Sequence, residues 1–88
     1  MNASRQKTWT CYLLYCADNT LYCGITNDLE KRLAAHNAGA GAKYTRSRLP
    51  VKLAYAETCA DKSAALKREY EIKRLNRKGK LALSAAGR

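Results

Sequence analysis

The stretch 10–26 constrains the fold of this chain more than any other segment. It consists of two runs rich in Tyr, Leu, Cys and Thr, separated by the short polar break Asp18-Asn19. Aromatic and β-branched residues favour extended strands, whereas Asp and Asn favour tight turns. The stretch therefore predicts a β-hairpin with strands at 8–16 and 21–26.

The second strand leads directly into a helix. Asn27 is a good N-cap with Glu30 three residues on, and this pair predicts a helix over 28–37. The order β-β-α-β-α-α implies one α+β domain, 1–88, with a small three-stranded antiparallel sheet flanked by helices, and 1–7 and 86–88 are expected to be flexible. The remaining predicted segments are a basic loop at 39–50, a strand at 51–58, a helix at 62–75 capped by Asp61, and a short helix or frayed tail at 78–85.

The hairpin turn decides where two tyrosines point. Side chains alternate along a strand, so a two-residue turn would put Tyr12 and Tyr22 on opposite faces of the sheet. For both hydroxyls to reach one site, the loop must hold an odd number of residues or the hairpin must contain a bulge.

Charge indicates the partner. The chain has 17 Lys and Arg against seven Asp and Glu, a net charge of +10, which favours a polyanion such as nucleic acid. No apolar run approaches the ~20 residues of a membrane span, and 1–7 lacks the apolar core of a signal peptide, so we expect a cytoplasmic protein without a membrane partner. The four cysteines form no Cys-x-x-Cys pair, and are predicted to be reduced packing residues without zinc.

Several of these features occur in the order found in a known family. Thr10-Cys11-Tyr12 is followed by Tyr22-Cys23-Gly24 and then by Arg32 in the next helix. This set resembles the GIY-YIG nuclease superfamily, and the segments 17–26 and 41–46 resemble its small standalone bacterial members of the URI-domain type. The resemblance covers about 8–75 and implies the same fold. Two features depart from it: the first triplet keeps only the tyrosine of Gly-Ile-Tyr, and the Asn found in many relatives after the metal-binding Glu has no clear counterpart.

Glu69 is a candidate metal ligand. On a helix its neighbours one turn away include Ala65 and Ile72, so its carboxylate lies on or beside the apolar stripe and needs a cationic partner. The residues leave two alternatives: a divalent metal, Mg²⁺ or Mn²⁺, or a buried pair with Arg32 or Lys73. The resemblance implies the metal, because Glu69 matches the single metal-binding Glu of the family.

Arg32 and His36 lie one turn apart on the first helix. Arg32 can present a planar fork to a phosphate, or it can form an ordinary pair with Asp28. The resemblance implies that Arg32 is the catalytic arginine, which holds the scissile phosphate. His36 is the only histidine. It has two possible roles: a functional one, as an alternative base or a phosphate contact, and a purely structural one.

Tyr22 and Tyr12 complete the predicted catalytic set. The resemblance implies that Tyr22 is the general base or positions water, and that Tyr12 is a second phenol that orients water or phosphate. A phenol has a pKa of ~10, so the metal or Arg32 would have to favour the phenolate. Strand and helix tyrosines more often pack in the core, and this is expected of Tyr15, Tyr55 and Tyr70.

The segment 43–48 is basic and contains one aromatic residue. Such a loop can contact phosphates while its ring stacks on a base, although it can also be a solvated loop. A second basic stretch, 62–88, would add salt-sensitive affinity. The predicted nucleic-acid contacts are Lys43, Tyr44, Arg46, Arg48 and Lys73.

Together, these residues predict a metal-dependent endonuclease that hydrolyses DNA phosphodiester bonds at a shallow pocket shared by Tyr12, Tyr22, Arg32, His36 and Glu69. A branched or nicked DNA, or a protein partner, would supply specificity, and the resemblance implies a role in repair or recombination. The alternatives are a non-catalytic basic module that binds DNA or RNA, and a ribosome-associated basic protein. The sequence contains no nucleotide-binding loop and no Ser-His-Asp or Cys-His signature.

Overall fold

The computed structural model describes residues 8–86, and the predicted flexible ends at 1–7 and 87–88 lie outside this range. Ala86, which was grouped with the predicted C-terminal tail, is the last residue of a helix. The elements in chain order are β1 (Trp9–Tyr15), β2 (Leu21–Thr26), α1 (Leu29–Asn37), α2 (Lys43–Arg46), β3 (Lys52–Cys59), α3 (Lys62–Lys73) and α4 (Arg77–Ala86).

The three strands form one antiparallel sheet in the order β2-β1-β3. The predicted fold class and strand pairing are therefore confirmed. β1 lies in the centre, which fits its four consecutive fully buried or nearly buried residues, 11–14. Within residues 8–86, β2 and β3 each have one edge that pairs with no other strand.

The hairpin register places the two predicted site tyrosines on one face. Tyr15 pairs with Leu21, so five residues lie between the paired strands, an odd number. Tyr12 pairs with Gly24 and Leu14 pairs with Tyr22. Because residues two apart on a strand share a face, Tyr12 and Tyr22 both point to the same side of the sheet, as the site required.

The two faces of the sheet carry separate apolar clusters. On one face, Tyr12, Leu14 and Val51 pack with Leu29 and Leu33 of α1. On the opposite face, a second cluster packs under α3 and α4 and contains Cys11, Leu13, Cys23, Ala54, Ile72 and Leu83. This division fixes which helices can contribute side chains to which face.

The start of α1 and the segment after it differ from the sequence prediction. The N-cap is Asp28 rather than Asn27, because the Asp28 carboxylate accepts a hydrogen bond from the amide of Lys31. The predicted Asn27–Glu30 capping box is therefore wrong by one residue. The expected basic loop contains the one-turn helix α2, which packs against α1.

The last two helices lie close to their predicted positions. Asp61 caps α3 as expected, with its carboxylate accepting from the amide of Ala64 at 2.8 Å. α3 ends at Lys73, two residues before the predicted end, and α4 begins at Arg77. Of the three tyrosines predicted to be core residues, Tyr15 and Tyr55 pack against the α3-side cluster, whereas Tyr70 is 63% exposed.

A matched pair of leucines tests the assignment of the core. Leu13 is completely buried, whereas Leu53 is 40% exposed. We expect Leu13→Ala to lower the free energy of unfolding by about 2–5 kcal/mol and Leu53→Ala by less than about 1 kcal/mol, measured by urea denaturation. Equal losses from the two variants would contradict this core.

Candidate functional site

A buried chain of hydrogen bonds links β1, α1 and α2. The Tyr12 hydroxyl lies 3.0 Å from Nε2 of His36, and Nδ1 of His36 lies 2.8 Å from Oγ1 of Thr45. The Thr45 hydroxyl donates to the carbonyl of Ala42 at 3.1 Å. Tyr12, His36 and Thr45 are exposed by no more than 1%, so water does not compete for these groups.

Burial determines the protonation states of His36 and Tyr12. Burial, together with the nearby charge of Arg32, lowers the pKa of His36 below its ordinary value of 6.5. Burial also raises the pKa of Tyr12, and the neighbouring Arg32 guanidinium lowers it without overcoming burial. Near neutral pH the pair is therefore a neutral imidazole and a neutral phenol.

Arg32 extends from α1 beside this buried chain. One guanidinium nitrogen, Nη2, donates to the carbonyl of Gly41 at 3.3 Å. Its Nε is buried and has no hydrogen-bond partner among residues 8–86. A buried N–H without an acceptor costs about 1–3 kcal/mol, so Arg32 retains a donor that an oxygen ligand would satisfy.

Arg32 also lines an open cleft of about 280 Å³ at the junction of β2 and α1. The cleft is open and its lining residues are mostly polar, with Lys31 as a second cation and Asp28 as a carboxylate. This is the part of the site that a phosphate can enter. Its lining residues are Thr26, Asn27, Asp28, Lys31, Arg32 and Ala35.

Tyr22 lies next to His36 and under α2. Its ring meets the His36 ring edge-on at 5.4 Å between centroids, and stacks on the Tyr44 ring at 5.8 Å. The Arg48 guanidinium lies 3.9 Å from the centroid of Tyr44, and also forms an ion pair with Asp18 at 2.9 Å. Tyr44 and Arg48 are thus partly engaged within the protein.

The other predicted nucleic-acid contacts lie in two places. Lys43 and Arg46 are exposed on α2, near Tyr22 and Tyr44. Lys73 is exposed at the end of α3, which packs on the opposite face of the sheet. The basic residues therefore do not form one continuous patch around the cleft.

Two glycines allow the site to close. An added Cβ at Gly24 would lie 2.6 Å from the Tyr12 hydroxyl oxygen, and one at Gly41 would collide with the His36 ring. Gly24 thus leaves room for the Tyr12 side chain to lie across β2. Gly41 lets the segment after α1 cover the imidazole.

The structure does not bring Glu69 into this cluster. α3 packs against the face that carries Cys11 and Cys23, which is opposite the face of Tyr12 and Tyr22. The Glu69 carboxylate lies 3.3 Å from Nζ of Lys73 and is 21% exposed. The pKa of the Cys11 thiol is raised by its hydrogen bond with Cys23, by burial and by negative charges that include Glu69. Of the two alternatives for Glu69, the ion pair with Lys73 is present.

The metal-binding role of Glu69 stays a prediction. One partly exposed carboxylate suits Mg²⁺, which often takes a single protein carboxylate and fills its other positions with water and phosphate oxygens. Lys73 competes for the same carboxylate. Within residues 8–86, no group of three or more His, Cys, Asp or Glu side chains is arranged to hold a metal ion.

None of the helices in the described part of the chain has the length and hydrophobicity of a membrane-spanning segment.

Sequence reasoning missed Thr45. It lies between the exposed Tyr44 and Arg46, and its burial follows no helical or strand period. The one sequence feature that could have indicated a role for Thr45 in the site is its position within the segment 41–46, which resembles a family motif.

Most of the chain matches the model of a known domain family. Residues 8–82 match the GIY-YIG catalytic domain. The chain therefore belongs to the GIY-YIG family, whose members are typically endonucleases. This confirms the resemblance on which the expected site residues rest.

Similar proteins carry the name UPF0213. The chain is 55% identical over 82 residues to a UPF0213 protein of Lactiplantibacillus plantarum, covering 91% of this chain and 81% of that protein. It is 53% identical over 72 residues to one of Staphylococcus haemolyticus, with coverage of 82% and 88%. It is also 55% identical over 74 residues to one of Natronomonas pharaonis, with coverage of 84% and 87%.

Two solution NMR structures share the fold. A UPF0213 protein from Bacillus halodurans is 38% identical, with a TM-score of 0.58 over 90% of this chain and 84% of that one. A protein from E. faecalis is 40% identical, with a TM-score of 0.61 over 88% of this chain and 82% of that one. The α+β architecture is thus shared with solved relatives.

The buried imidazole predicts a pH dependence of stability. His36 is the only histidine, and its native pKa lies below 6.5. His36 binds a proton near pH 6.5 in the unfolded chain, but only at a lower pH in the folded protein. The stability that the neutral imidazole contributes is therefore complete above about pH 6.5, and it is lost as the pH falls from there toward the native pKa of His36. We expect the free energy of unfolding to fall by about 1.4 kcal/mol for each unit by which the native pKa of His36 lies below 6.5, measured by urea denaturation between pH 5 and 7.5.

The His36→Gln variant is the control for this effect. It removes the titrating group, so its stability is expected to be flat over the same pH window. An NMR titration that places the pKa of His36 at or above 6.5 would contradict the assignment.

Proposed function

We propose that this protein is a metal-dependent endonuclease that hydrolyses DNA phosphodiester bonds, with selectivity for a branched, nicked or flapped structure and a role in repair or recombination. The observation that carries the proposal is Arg32, which lines an open cleft with Lys31 and Asp28, has a buried Nε–H without a partner among residues 8–86, and lies beside a buried tyrosine–histidine pair. Membership of the GIY-YIG family supports the reaction class.

Arg32 binds the phosphate in this proposal. Its planar guanidinium can hold two non-bridging oxygens, and charge that develops on them in the transition state strengthens these hydrogen bonds. Lys31, on the same cleft, adds positive charge. The cleft can accommodate a phosphodiester without rearranging the sheet.

Tyr22 positions the attacking water. It is partly exposed and lies between the His36 ring and the Tyr44 ring, so two aromatic contacts fix its orientation. Tyr12 is only 1% exposed, so we assign it a supporting role behind Arg32 and Tyr22 rather than contact with substrate. His36 is likewise a positioning residue, since the imidazole is fully buried.

Glu69 is the proposed Mg²⁺ or Mn²⁺ ligand. When bound, a hydrated ion there supplies positive charge to a phosphate oxygen. Because Glu69 lies under the opposite face, a DNA backbone would meet both Glu69 and Arg32 by passing the free edge of β2. Lys43, Arg46 and Lys73, exposed near the two sides of this path, are the proposed phosphate contacts, and the engaged Tyr44 and Arg48 help to shape it.

A second function, a nucleic-acid-binding module without catalysis, is favoured by one specific observation. Lys73 already neutralises Glu69, and the carboxylate is not in the cluster with Arg32. Binding of branched DNA or RNA that shows no cleavage with Mg²⁺ or Mn²⁺ would establish this alternative.

A cleavage assay separates the two functions. Purified protein is mixed with branched, nicked and single-stranded DNA and with RNA, in Mg²⁺, in Mn²⁺ and in chelator. We expect cleavage of a structured DNA that chelator abolishes, and a reduction in kcat of about 10²–10³-fold in Arg32→Ala because the phosphate loses its preorganised donor.

Lys52→Ala is the matched control, since it removes one exposed positive charge on β3, away from the cleft. It is expected to cleave at nearly the rate of the unchanged protein. Glu69→Gln should abolish metal-dependent cleavage while binding persists. Equal activities of Arg32→Ala and Lys52→Ala would overturn the assignment of the cleft.

A further inference from the structure

The buried hydrogen-bond chain has a single direction that follows from its two ends. The Tyr12 hydroxyl is buried, and its polar neighbours are Arg32, which can only donate, and Nε2 of His36. The hydroxyl proton therefore has one acceptor, the Nε2 lone pair. A neutral imidazole that accepts at Nε2 carries its proton at Nδ1.

The other end of the chain gives the same answer. The Ala42 carbonyl can only accept, so the Thr45 hydroxyl donates its proton there, across 3.1 Å. The Thr45 oxygen, 2.8 Å from Nδ1 of His36, is then left to accept, which requires the proton of the neutral imidazole to be on Nδ1. Each group donates to the next in one sense, from Tyr12 through His36 and Thr45 to the backbone.

We propose that Thr45 is a positioning residue: it holds His36 in the Nδ1–H tautomer, so that Tyr12 donates to His36 and turns its oxygen lone pairs toward the Arg32 guanidinium. The Tyr12 lone pairs then face the guanidinium, which favours one orientation of Arg32 beside the cleft. The effect on catalysis rests on the proposed function, whereas the tautomer and the orientation do not.

The same geometry predicts how acid acts on the site. When His36 is protonated, both ring nitrogens become donors, and Tyr12 must accept from Nε2 and turn its proton away. The charged and titratable groups that face the ring are Arg32 from α1, Tyr12 from β1 and Tyr22 from β2. An imidazolium beside Arg32 adds a like charge, so the guanidinium is repelled and faces the Tyr12 proton instead of its lone pairs.

The tautomer can be measured directly because the chain has a single histidine. In nitrogen-15 NMR spectra at pH 8, we expect the Nδ1–H tautomer in the unchanged protein and in Thr45→Ser, which keeps the hydroxyl. In Thr45→Val, which keeps the shape but removes the acceptor, we expect the population to shift toward the Nε2–H tautomer. Thr58→Val, on an exposed strand position, is the control and should leave the tautomer unchanged.

Activity gives the second readout. Partners that orient metal-bound histidines typically contribute about 10–100-fold, and by analogy Thr45→Val should lower kcat by about that factor with little change in KM, and Thr45→Ser should restore it. A dominant Nε2–H tautomer in the unchanged protein would overturn the inference even if Thr45→Val fails to fold. A correct tautomer in a protein that cleaves no substrate would instead overturn the nuclease proposal and leave this one standing.

Discussion

The hydrogen bond between Tyr12 and His36 is the interaction on which the rest of the site depends. It joins the central strand to α1 where both side chains are removed from water, and a buried polar group without a partner would cost about 1–3 kcal/mol. Thr45 of α2 satisfies the other ring nitrogen, so the short helix is held to α1 by the same network. The apolar cluster around Tyr12 and Leu14 then packs against a polar chain whose described members are all satisfied.

This network explains why Arg32 can act at the surface. The two groups described beside its guanidinium, the phenol of Tyr12 and the backbone carbonyl of Gly41, are uncharged near neutral pH. Asp28 lines the same cleft one turn before Arg32. Arg68 shows the contrast: it is bound by Glu57 at 2.8 Å and by Glu71 at 3.1 Å, an arrangement that stabilises the packing of α3 on β3.

The sequence predicted the parts of the fold that depend on local chemistry. The antiparallel sheet and the Asp61 cap follow from strand and capping preferences, and are confirmed. A shared tyrosine site required either an odd-numbered hairpin loop or a bulge, and the structure has the odd-numbered loop. The cap at Asp28 was misassigned by one residue because Asn27 and Asp28 are both good caps, and only the hydrogen bond to Lys31 distinguishes them.

Tertiary arrangement accounts for the remaining differences. Helical spacing indicates that Glu69 lies beside an apolar stripe, but it does not say which face of the sheet that stripe covers. The same spacing cannot show that Tyr70 points to solvent, where Arg74 lies over its ring. Thr45 could not be found by pattern because its role depends on a contact with His36, nine residues earlier, and on the close approach of Gly41.

The central claim is that the unpartnered Nε–H of Arg32 is the donor that receives a phosphate. NMR observation of arginine Nε–H signals during titration with a short, non-hydrolysable phosphodiester duplex tests it directly. We expect the Arg32 signal, assigned by its loss in Arg32→Lys, to shift on addition of the duplex and to exchange more slowly with water. An unchanged Arg32 signal, while amides of α2 or α4 respond to the same duplex, would contradict the claim.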